Sequence, residues 1–152
     1  MNCLSVQQPW CCAIVMGFKD VENRIWKGAP RYRGPLLLHA GKGLDKHGMS
    51  SILEIDSVAH RQIWDLLRDL HPSMSRGAIV GGAVLVGTTR THRSKWAAPG
   101  QLQLVFEHPL VLSVPVPYLG QLGIFDVLPA VFEGRPAYGE IRDWWNEYGR
   151  HE

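Results

Sequence analysis

The sequence of 152 residues predicts an α+β fold, in which strands dominate, helices are inserted between them and one further helix closes the chain. Apolar residues alternate with a period of two along 101–106 and 110–116, as in half-buried strands. Two stripes, Ile63/Leu66/Leu67/Leu70 and Ile141/Trp144/Trp145/Tyr148, instead carry the i, i+3, i+4, i+7 spacing of helices. A composition of 45% apolar and 20% charged residues, with Gly and Pro scattered, suits one compact core and excludes disorder, collagen-like repeats and coiled coil. The length is that of a single domain, 1–152.

Asn2 to Val6 reads as a short strand, and Gln7-Gln8-Pro9 as the start of a helix that ends at Gly17. Trp10 to Met16 is apolar all round, which places that helix centrally. Lys19 to Trp26 suits a strand or extended loop, and Gly28-Ala29-Pro30 breaks the chain. Pro35 to Ala40 is a second strand, Gly41-Lys42-Gly43 a turn, and 44–75 a polar helical insertion. Gly77 to Gly87 is apolar on both alternating faces, the pattern of a central strand, bent or bulged at Gly81-Gly82. Thr88 to Gly100 is a loop. Gln101 to Phe106 and Leu110 to Val116 then form two strands about a turn at His108-Pro109, with Pro115 and Pro117 confining the second to an edge or bulge. Gly123 to Leu128 is the last strand, and 130–152 a helical extension packed outside the sheet.

The net charge of +2 hides an uneven distribution. Residues 1–50 hold seven Lys/Arg against three Asp/Glu, and 76–100 hold four against none. Folded onto one face, these blocks attract phosphate. No apolar run approaches the ~20 residues of a membrane span, and Met1-Asn2-Cys3-Leu4 lacks the features of a secretory signal, so the expected location is cytoplasmic with no membrane partner. Cys3, Cys11 and Cys12 have no disulfide or metal-ligand spacing and read as core thiols. The histidines lack metal spacing as well. With no P-loop or dinucleotide fingerprint, neither a metal nor a cofactor is expected. Ser5 carries no nucleophile-elbow pattern.

Gly17 to Arg24 has the form G-x-K-x-x-E-x-R. In an extended chain Glu22 and Arg24 share a face, so the carboxylate can orient the guanidinium toward phosphate, or the pair can meet a base edge. The alternative is a surface ion pair of about 0–1 kcal/mol. Lys19 adds a point charge. Ser5-Val6-Gln7-Gln8-Pro9-Trp10 precedes this motif, and Trp26 and Arg33-Gly34-Pro35-Leu36-Leu37-Leu38-His39-Ala40 follow it. Further on stand Arg76-Gly77-Ala78-Ile79-Val80-Gly81, then Pro115-Val116-Pro117, Gly120 and Gly123-Ile124-Phe125.

In this order the segments resemble an ASCH domain, over about residues 2–128. The resemblance implies a PUA-like β-barrel and a basic cleft whose ligand is nucleic acid, more often RNA or a single strand. Cleft residues carried over are Lys19, Glu22 and Arg24, with Trp26 and Trp10 near them. His39 and Lys42, at the end of a strand, are further candidates. The loop Thr88 to Trp96 supplies a second contact region, with Arg90, Arg93 and Lys95 for phosphate and Trp96 for stacking. Some family members are amidohydrolases on N4-acetylcytidine, and a ribonuclease is reported. This sequence has Glu22 where the amidohydrolases have threonine, and no acidic residue in 88–100. If it is a hydrolase, Lys19 serves as nucleophile or base and Glu22 moves protons. A third reading is a protein-interaction module built on Val127 to Phe132 and the Trp144-Trp145 helix.

Overall fold

The computed structural model describes residues 1–149; 150–152, with His151, lie outside the described residues. Its strands are β1 (Asn2–Gln8), β2 (Val21–Arg24), β3 (Gly34–Leu44), β4 (Ala78–Thr89), β5 (Leu102–Pro117) and β6 (Ile124–Asp126). Its helices are α1 (Trp10–Val15), α2 (Gly48–Ile55), α3 (Ser57–Arg68) and α4 (Ala137–Tyr148). The strands form one mixed sheet in the order β2-β5-β4-β3-β1-β6. Among the described residues only β1 and β3 pair in parallel, and α1 with β2 is part of the crossover between them.

The continuous apolar run of β3 follows from its position, because both of its faces are covered. Leu36 and Leu38 point into a core with Leu4, Val6, Ile14, Leu85, Leu104 and Phe106. Leu37, one residue out of phase, belongs to the opposite face with Ile79, Leu112, Phe125, Val127, Phe132, Ile141 and Trp144. Helix α1 therefore fills one side of the sheet and α4 covers the other. A third cluster, with Ala13, Val21, Ile52, Ala59, Ile63 and Trp96, fastens the helical insertion beside α1. Gln8, fully buried, ties these parts together. Its carbonyl accepts from Cys12 N at 2.9 Å, and its amide donates to Ser73 O at 2.7 Å and Ser75 O at 2.9 Å.

The sheet is not closed into a barrel: β2 and β6 are its two edges and do not pair. β6 covers only Asn2 to Leu4 of β1, leaving that edge free from Ser5 onward. His108-Pro109 is no turn between two strands. His108 adopts φ +49° and bends one long strand, so the alternation on either side belongs to a single β5. Beyond the bend β5 pairs with β4 alone, which is where Pro115 and Pro117 are tolerated. The exposed amide of Ser113 on that edge donates to Glu140 Oε2 of α4 at 3.0 Å. Gly41-Lys42-Gly43 is likewise strand, within β3. The register shifts on both sides of Gly81-Gly82 match the expected bulge. Leu70 drops off the helical stripe because α3 stops at Arg68, and Leu70 is exposed with φ +53°.

Candidate functional site

The free edges of β1 and β2 face each other across a cleft of about 670 Å³. Ser5, Val6 and Gln7 line one side, and Glu22 to Trp26 the other. A register shift between Val6 and Gln8 bends β1 at this point. Arg24 spans the gap, donating from Nη2 to the carbonyl of Ser5 at 2.6 Å.

The charged groups of the G-x-K-x-x-E-x-R motif form a chain. Gly17, at φ +81°, stops α1, and the turn delivers Lys19 under the cleft with its amide bonded to Ala13 O. Lys19 Nζ lies 2.8 Å from Glu22 Oε1, and Arg24 Nη2 lies 3.1 Å from Glu22 Oε2. Glu22 and Arg24 do share a face of the strand. Lys19 and Glu22 are both buried, at 4% and 8% exposure, so this is an interior ion pair, and removing one partner strands the other charge. Arg24 is more open and carries the free valence of the chain, with its buried Nε unpartnered. Lys19 Nζ sits 5.2 Å from the centre of the Trp10 ring, and the Arg24 guanidinium 5.4 Å from that of Trp26.

The other walls come from distant segments. Trp10 Nε1 donates to Asp45 Oδ2 at 2.8 Å. This bond, with the His47 amide, holds the Asp45 carboxyl below its ordinary value. Asn23, on the opposite face of β2 from Glu22, bonds Trp96 O and Ala98 N, both at 2.8 Å, and so hangs the 94–98 loop over the cleft. Lys95 is exposed and pairs with Asp56 at 2.5 Å. The two basic blocks of the sequence therefore do meet. Yet among the described residues the lining holds Lys19, Arg24 and Lys95 against Glu22 and Asp45, so the cleft is largely neutralised from within.

Not every anticipated residue is placed as a ligand contact. Trp96 is 4% exposed and packs into the third core cluster, leaving little of its face for stacking. Arg90 lies outside the lining and donates to Trp26 O at 2.9 Å and Lys27 O and Gly100 O at 3.2 Å, bracing the loop that carries Trp26. Arg93 is exposed but outside the lining. His39 and Lys42 line a separate cavity. Conversely, Asn23, Asp45 and Gln101 line the cleft without having been singled out. Asn23 stands inside the motif, whereas nothing local to Asp45 or Gln101 connects them to it.

The three cysteines are buried and free, with burial pushing Cys3 up to about 12 and Cys12 to about 11. Trp144, Phe132 and Val127, proposed as a docking surface, are instead buried against the domain's own sheet. Among the described residues no group of His, Cys, Asp and Glu could hold a metal ion, and no helix is long and apolar enough to cross a membrane. A family model described as the ASCH domain matches residues 4–145, taking in the helical insertion and most of α4. No curated protein matches the chain.

Proposed function

Because the chain belongs to the ASCH domain family, we propose that it is an RNA-binding module that takes an unstacked base of a single strand into the seam between β1 and β2. The family is consistent with an RNA-related role. The observation that carries the reading is the Lys19–Glu22–Arg24 chain between Trp10 and Trp26, in a cleft of about 670 Å³, well within the range of small-ligand sites. Charges already paired suit a neutral, hydrogen-bonding heterocycle better than a run of phosphates. Glu22 accepts from an exocyclic amine, Trp26 offers its face, and Arg24 and Lys95 meet the flanking phosphates. Lys19 holds Glu22 in place. The test is a titration of single-stranded and duplex RNA with free nucleosides as competitors. The single strand binds tighter, and one nucleoside competes for it. Preference for the duplex, or competition by inorganic phosphate alone, overturns the reading.

A hydrolytic reading draws on one specific feature. The 2.8 Å Lys19–Glu22 contact has the reach of an acid–base pair, and Asp45 supplies a second carboxylate to the same cleft. Turnover of N4-acetylcytidine that vanishes in Lys19→Ala and Glu22→Gln under conditions where both variants are folded supports it, and intact substrate with the wild type removes it.

A further inference from the structure

The opposite side of Ser5 belongs to a different cavity, of about 350 Å³, lined by His39, Gly41, Lys42 and the 118–122 segment. In it, Ser5 Oγ lies 3.0 Å from His39 Nδ1, and His39 Nε2 lies 2.6 Å from the carbonyl oxygen of Tyr118. A carbonyl can only accept, so Nε2 carries the ring proton and, in the neutral imidazole, Nδ1 is an acceptor for the Ser5 hydroxyl. Burial lowers the pKa of His39, which favours that neutral form. A hydroxyl bonded to an unprotonated imidazole nitrogen, with the other nitrogen anchored by a third group, is the arrangement of a nucleophile, its base and an orienting acceptor. The backbone carbonyl takes the place of a carboxylate as the orienting group.

Gly120 backs directly onto the pair: a Cβ there would lie 2.6 Å from Ser5 Oγ and 2.7 Å from the His39 ring, so a larger residue at 120 would press onto both. The space for a substrate is the cavity of about 350 Å³ that Ser5 and His39 line. Leu119 and Leu122 are 75% and 99% exposed at the same cavity, an apolar flank with no covering element among the described residues.

We infer that Ser5 and His39 form a nucleophile–base pair that accepts the acyl group of a small carboxylic ester, at a site separate from the cleft. Ser5 Oγ bonds to the carbonyl carbon while its proton passes to His39 Nδ1. The ester C–O bond breaks, and the departing alcohol takes that proton. Water then releases the acid, with its proton passing through His39 and back to Ser5. Leu119 and Leu122 contact the apolar part of the ester. Ester and water give acid and alcohol, and no redox partner is involved.

The test is labelling with a fluorophosphonate probe, mapped by peptide mass, together with hydrolysis of p-nitrophenyl butyrate. The expected result is one adduct on Ser5, and ester turnover that falls by about 100-fold or more in Ser5→Ala. Ser5→Ala keeps the backbone carbonyl that meets Arg24, and His39→Gln, compared at equal melting temperature, serves as the second variant and loses both labelling and turnover. An unlabelled Ser5 in the wild type, or turnover unchanged in Ser5→Ala, overturns the inference.

Discussion

Glu22 is held between two cations, and its loss affects each differently. Lys19 is buried with Glu22 as its ion-pair partner, whereas Arg24 also has the Ser5 carbonyl. Glu22→Gln therefore destabilises the fold by about 3–5 kcal/mol, as expected when a buried pair is broken. Lys95→Ala removes an exposed, solvent-screened pair with Asp56 and leaves stability nearly unchanged. Chemical denaturation of both variants checks the contrast. His39 gives a pH dependence whose sign follows from its lowered pKa. The unfolded chain binds the proton first, so this contribution is complete above the ordinary histidine value of 6.5 and declines as pH falls below it. Denaturation midpoints of wild type and His39→Gln across that range show the decline in the wild type alone. The thiols of Cys3, Cys11 and Cys12 all have raised pKa values because they are buried. Iodoacetamide at pH 8 leaves them unmodified in the native protein and alkylates all three in denaturant, as mass spectrometry will show.

At the scale of the element, β4 depends on its two central glycines. A Cβ at Gly81 would stand 2.0 Å from the Leu110 carbonyl, and one at Gly82 would strike the Trp144 ring at 2.8 Å. Backbone cannot yield as a side chain can, so Gly81→Ala lowers the melting temperature by far more than Gly87→Ala, where the space is open. Thermal melts of the two variants decide this. The same glycines were readable from the sequence as a bulge, since they interrupt a strand apolar on both faces. Other elements were misread for a definite reason. Period-two alternation is blind to a bend within one strand, so 101–106 and 110–116 passed for a hairpin around His108-Pro109. Likewise Leu70 keeps the spacing of Ile63 but lies beyond the helix end, because spacing does not show where backbone hydrogen bonding stops.

For the whole molecule, the central feature is the seam left by the unclosed sheet. Motif spacing put Glu22 and Arg24 on one face with Lys19 nearby, and the family resemblance added Trp10 and Trp26; all five line the cleft because the first crossover connects β1, α1 and β2 within 24 residues. Asp45 and Gln101 were not legible, since they reach the cleft only through the turn after β3 and the start of β5. Charge segregation also misled in degree. The 19–33 and 88–98 segments do meet, but Glu22 and Asp45, carboxylates of the first basic block itself, offset the cations within the cleft. For a ligand held there, few phosphates are met, and the salt dependence of binding is negative but shallow. The most direct measurement is the slope of log affinity against log salt for a short single-stranded RNA, with wild type and Arg24→Ala side by side. The account predicts weaker binding by Arg24→Ala with an intact fold, and a slope shallower by about 0.7, the value for one phosphate contact to a single strand. Equal affinity and equal slope for the two proteins would contradict it.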